Sequence, residues 1–123
     1  MSVTTKGREI NIEGMDRVRS TYAQTEITET AQKASDTLSG WKWEVKEMYL
    51  HNAGPGDSGA GTKGAELVII AKAPSDFRSR GSFNPLSDQG FYAWEDNQTE
   101  KPYKHEALKD GEHAFISEKI LTV

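Results

Sequence analysis

Leu38-Ser-Gly40-Trp-Lys-Trp43-Glu-Val-Lys46 is where the chain changes period. Before it, Met15, Val18, Tyr22 or Ala23, Ile27, Ala31, Ala34 and Leu38 recur at three- and four-residue steps, one apolar stripe along a helix. After it, Trp41, Trp43, Val45 and Tyr49 alternate with Lys42, Glu44 and Lys46, the period of two that turns one face of a strand inward. Gly40 stands where a helix commonly ends on a left-handed residue. At the other end, Asp16 or Ser20 can cap the helix, and Thr21 with Gln24 has the spacing of a capping box. Thr25, Thr28, Thr30 and Thr37 weaken its intrinsic propensity by about 1–2 kcal/mol together, so this helix needs a sheet beneath it.

Outward from this junction, residues 2–12 read as a hairpin, with Val3 and Thr5 on one arm, Ile10 and Ile12 on the other, and Lys6-Gly7 at the turn. Leu67-Val-Ile-Ile-Ala71 is apolar on both faces and reads as a central strand that Pro74 ends. Phe91-Tyr-Ala-Trp94 and Phe115 to Val123 are further strand candidates. The expected architecture is α+β: an N-terminal β-hairpin and one amphipathic helix packed on a mostly antiparallel sheet of about four strands, with consecutive strands pairing. Segments 51–64, 75–90 and 96–112 are long connections for a domain of this size. Loops of such length are usually functional, held by a partner, or disordered.

The chain has 123 residues, 35% of them hydrophobic. That is one modest core and a single domain, 1–123, too small for a full dinucleotide-binding fold, a (β/α)₈ barrel or a two-lobed kinase. The formal net charge of −4, with both signs spread along the chain, offers no polyanion-binding stripe, so nucleic acid is a disfavoured partner. With no cysteine there is no disulfide framework, thiolate metal site or cysteine nucleophile. The N-terminal residues Met1 to Gly7 lack the apolar core of a signal peptide, and no apolar run reaches membrane-spanning length. The expectation is a soluble protein, cytoplasmic or within an assembled particle.

Four features bear on chemistry. Gly54-Pro-Gly56-Asp-Ser58-Gly59-Ala-Gly61-Thr-Lys-Gly64 holds two overlapping G-x-G-x-x-G matches. A dinucleotide site needs a helix N-terminus after such a loop, and here a strand follows, which leaves a hairpin loop or a nest of backbone amides for an anion. Ser58 within Gly-Asp-Ser-Gly resembles the surroundings of a serine nucleophile, but no His and Asp are spaced to activate it, and His51, His105 and His113 form no metal-binding pair. Phe77-Arg78-Ser-Arg80-Gly-Ser-Phe83 is the strongest binding candidate, because guanidinium forks and aromatic rings are what protein interfaces and phosphate sites use. Trp41, Trp43, Tyr49, Tyr92, Trp94 and Tyr103 either form the core or line a stacking pocket, with Trp41 and Trp94 the candidate ligand faces.

These residues point first to a non-enzymatic interaction protein without cofactor or metal. It would self-associate as a homo-oligomer or join other protein subunits in a larger assembly, of virus-particle or secretion type if architecture alone is the guide. The alternative is a binder of a small anionic, nucleotide-like ligand held by Gly56, Ser58 and Gly59, Arg78 and Arg80, and Trp41 or Trp94. Phe77 and Phe83 belong to the same ligand- or partner-binding segment, the plain alternative being that they pin a long loop to the core while the arginines stay solvated.

Overall fold

The computed structural model describes residues 2–5, 8–18, 21–51, 64–75, 84–94, 99–117 and 121–122. Strands β1 (Ser2–Thr5) and β2 (Arg8–Glu13) pair antiparallel with Thr5 opposite Arg8, as the hairpin pattern requires. A short 3₁₀ turn, Met15–Arg17, leads to helix α1 (Thr21–Gly40). Then follow β3 (Glu44–His51), β4 (Gly64–Lys72), β5 (Phe91–Ala93), β6 (Glu112–Ser117) and β7 (Leu121–Thr122). The sheet order is β1-β2-β3-β4-β6-β5, with β7 pairing antiparallel to β4 at Gly64 and Ala65. One helix on a mostly antiparallel sheet makes this an α+β fold.

Two connections depart from simple neighbour pairing. β2 and β3 are parallel, Ile12 opposite Met48, so α1 is the crossover between them, and the hairpin becomes part of the main sheet. β4 pairs with β6 rather than with β5, which lies outside β6. The apolar character of β4 explains its central place: Leu67 to Ala71 are all buried, with β3 on one side and β6 on the other.

Helix α1 covers one face. Ala23, Ile27, Ala31, Ala34 and Leu38 are buried, whereas Tyr22 is exposed, so Ala23 takes the inward position in the first turn. Three alanines let the helix lie close to Leu67, Ile69 and Ala71 of β4, and Ile27 and Leu38 each contribute about 1.5–3 kcal/mol by burial. Gln24 does not complete a capping box with Thr21; its Nε2 donates to the Val18 carbonyl at 2.7 Å.

The helix also ends differently from expectation. Gly40 is still helical, and the left-handed residue is Lys42, with φ 67°. Trp43 N–H reaches back to the Leu38 carbonyl at 2.9 Å and Lys42 N–H to the Ser39 carbonyl at 2.9 Å, the two bonds of a Schellman motif. The hydrophobic pairing that usually accompanies it is there too, since Leu38 and Trp43 share the helix-side core. A lysine in this conformation costs about 1 kcal/mol relative to glycine. Moving the glycine to where it is needed, as Gly40→Ala with Lys42→Gly, should raise stability by about 1 kcal/mol, because a Cβ on Gly40 meets nothing within 4 Å. Chemical denaturation of the double variant against the parent measures it.

The alternation read through Trp41–Tyr49 is broken by a bulge. Val45 pairs with Ala71 but Glu47 with Ile70, so one extra residue lies between them. Each later side chain is thereby turned to the other face. Val45 and Met48 join the helix side, whereas Tyr49 points the other way, into a second cluster with Val68, Ile70, Ala114 and Ile116. Trp41 precedes the strand altogether and is exposed.

Candidate functional site

The second cluster poses a physical problem. An antiparallel sheet commonly leaves one face to water, but this face is apolar and must be covered. Residues 99–111 cover it. They fold as a small hairpin, here called the strap, closed by Leu108 N–H to the Thr99 carbonyl at 2.8 Å and Lys101 N–H to the Glu106 carbonyl at 2.9 Å, with Glu100 paired to Ala107. Its turn is Lys101-Pro-Tyr-Lys104, with Pro102 second and Tyr103 third at φ 61°, the pattern of a type II turn. That third position normally takes glycine or asparagine, so the tyrosine sits in an unfavourable backbone state.

Tyr49 holds the strap from below. Its hydroxyl donates to the Pro102 carbonyl at 2.6 Å, both residues being buried. Lys104 Nζ lies over the same ring, 4.2 Å from its centroid. Burial first, and then the negative charges of Glu47, Glu106 and Glu13, push the Tyr49 phenol well above its ordinary value, so it stays a neutral donor. From the β5 side, Trp94 Nε1 donates to the Glu100 carbonyl at 3.0 Å, and Leu108 packs beside Tyr92 and Trp94.

Beside this apolar seat, toward β2 and β3, ion pairs link into a closed ionic ring. Lys101 Nζ bonds Glu47 and lies 3.2 Å from Glu106. Lys104 Nζ lies 3.0 Å from Glu13, 3.4 Å from Glu47 and 4.0 Å from Glu106. Strap, β2 and β3 are thus tied together. Burial tends to raise the Glu47 pKa, but the bond to Lys101 and the charges of Lys104 and Lys101 outweigh it and hold the carboxyl below its ordinary value. The Lys101 ammonium is raised, chiefly by its bond to Glu47. For Lys104 burial pulls downward, and Glu13 with Glu47 more than reverses it.

At the strap tip, the ring of Tyr103 stacks on His51, centroids 3.5 Å apart and planes 6° from parallel. Its hydroxyl donates to Glu66 Oε1 at 2.9 Å. Burial first and the Glu66 contact next raise the Tyr103 phenol. Tyr103 nonetheless keeps 48% of its surface in water.

Of the residues singled out from the sequence, Phe77, Arg78, Arg80, Phe83, Gly56, Ser58 and Gly59 lie outside the described residues. The structure does place their roots. The segment 52–63 leaves and rejoins the sheet at the His51–Gly64 end. Ala73 before the segment 76–83 and Leu86 after it pack into the helix-side core. Trp41 is exposed in the turn at the helix C-terminus, and Trp94 lies on the strap side, so the two are placed on different parts of the molecule. His113 meets the edge of Trp43, ring centroids 5.3 Å apart, and His105 is exposed on the strap. Among the described residues no group of three or more His, Asp or Glu is arranged to hold a metal ion, and no helix is long and apolar enough to cross a membrane.

Sequence reasoning missed the ring of Glu13, Glu47, Glu106, Lys101 and Lys104. These charges read as solvated faces of separate segments. The signals were a Pro-Tyr pair in a turn position and an apolar outward face on β4 that something had to cover. Compared with known proteins, the chain matches no family model, no curated protein and no solved structure.

Proposed function

We propose that this chain is a non-enzymatic interaction protein that self-associates as a subunit of a larger assembly. The observation that supports this is where the long connections attach. A ligand mouth gathers its loops at one end of a sheet. Here 52–63 attaches at the His51–Gly64 end, 76–83 on the helix side, and 99–111 is committed to the opposite face as the strap. The two segments with binding character therefore have separate roots, as interface arms do. Ordering a long polar segment costs about 1–2 kcal/mol per residue, which contacts with a neighbouring subunit offset.

Native mass spectrometry of the gently purified protein tests this. One discrete oligomer without added mass is the expected result. A monomer across micromolar concentrations overturns it, and a monomer carrying a few hundred extra daltons moves the assignment to a ligand-binding protein.

A further inference from the structure

We propose that the His51–Tyr103 platform at the strap tip receives the Arg78-Ser-Arg80 segment of a second copy, joining copies head to tail. This rests on the self-association reading and adds the contact that makes it.

The platform has the chemistry an arginine uses. A guanidinium is planar, stacks on aromatic faces and pairs with carboxylates. Tyr103 presents an aromatic ring that is about half exposed, backed by the parallel ring of His51, with the Glu66 carboxylate at its hydroxyl edge. Tyr103 uses Oε1 of that carboxylate, and a carboxylate accepts several hydrogen bonds through its two oxygens. The two lysines nearest the tip do not repel an incoming cation strongly, because Lys101 and Lys104 are each matched by carboxylates within the ionic ring.

The occupant is argued from charge and position. Phe77-Arg-Ser-Arg80-Gly-Ser-Phe83 is the chain's own pairing of arginines with aromatic rings, the residue types that dominate interface energetics. The described residues before and after it, Ala73 and Leu86, pack into the helix-side core, whereas the platform stands on the strap side. The sequence of this segment is cationic and aromatic and the platform is anionic and aromatic, while those flanking residues pack on the face opposite the platform. A contact between two different patches is heterologous, so it continues into a ring or a filament rather than closing as a twofold dimer.

The test uses two variants of the full chain, Arg78→Glu/Arg80→Glu and Glu66→Lys, with circular dichroism melts to establish that each is folded. In native mass spectrometry and light scattering, each alone should be monomeric at concentrations where the wild type is oligomeric, its dissociation constant raised by about tenfold or more. Mixed one to one, they should associate again, at least as a heterodimer, because the intact arginine segment of the Glu66→Lys chain meets the intact platform of the other, and the two reversed charges no longer repel across the second contact. Added salt should weaken that heterodimer. If either folded variant keeps the wild-type oligomer, or the mixture stays monomeric, this contact is wrong while self-association stands. A monomeric wild type overturns both. If Glu66→Lys fails to fold, Tyr103→Ala takes its place with the same outcomes.

Discussion

Replacing Tyr49 by alanine is expected to cost about 3–5 kcal/mol of folding stability, the range for deleting a large buried ring. The ring is buried, fills the second core with Val68, Ile70 and Ile116, and carries Lys104 on its face. Its hydroxyl makes a separate contribution. Tyr49→Phe keeps the ring and removes only the donor to the buried Pro102 carbonyl, at an expected cost of about 1–2 kcal/mol. Urea denaturation of the two variants separates packing from hydrogen bonding. Native-state hydrogen exchange adds a local readout, because the Leu108 amide, bonded within the strap to the Thr99 carbonyl, should lose protection in Tyr49→Phe before the β4 amides do. If Tyr49→Phe is neutral and the strap amides keep their protection, the strap is not held through this hydroxyl.

Glu47→Gln should cost about 1–2 kcal/mol near neutral pH and reshape the pH dependence of stability. Glu47 is the only described carboxylate that contacts both strap lysines and also lies on a sheet strand, so its charge joins strap to sheet. The sign follows from linkage. The Glu47 carboxyl lies below its ordinary value of 4.5 in the folded protein, so its contribution is present above about 4.5 and lost as the pH falls through the lower folded value. Lys101 is raised above its ordinary 10.5, so its contribution is complete below 10.5 and lost as the pH climbs through the higher folded value. The wild type should therefore show a stability plateau between about pH 5 and pH 10 with a fall on each flank. Glu47→Gln should lower the plateau and make both flanks shallower, because the bond to Glu47 is the main reason Lys101 is raised. Thermal melts from pH 3 to pH 11 measure this; flanks unchanged in the variant would place the pH dependence on other groups. High salt should reproduce only part of the effect, since Lys101 is largely shielded from solvent.

Both results concern the strap, the part of the molecule that local reading of residues 96–112 leaves as a long loop. A strap of this kind has no period of its own, because its stability is owed to what it lies on. Tyr49 and Pro102 are 53 positions apart, and Lys101 meets Glu47 across 54. Nothing in the spacing of either segment encodes such a meeting, and the residues of the proposed contact that depend on it, His51, Glu66 and Tyr103, were visible only as scattered polar and aromatic positions.

What the amino-acid sequence determined by itself is what depends on neighbours along the chain. The stripe of Ala23, Ile27, Ala31, Ala34 and Leu38 makes a helix with one buried face because residues three and four apart share a side. The run Leu67–Ala71 makes a central strand because it needs cover on both faces, and Ser2–Thr5 pairs antiparallel with Arg8–Glu13 because two extended runs lie only two residues apart in the chain. The tertiary structure alone decided the rest. It placed the bulge after Val45, which turned Tyr49 away from the helix against the alternation of the preceding residues. It put the left-handed backbone on Lys42 rather than Gly40, because Trp43 is drawn into the core beside Leu38. It also closed the ionic ring over the second face. Each of these choices is paid by contacts distant in sequence, and a local pattern carries no record of them.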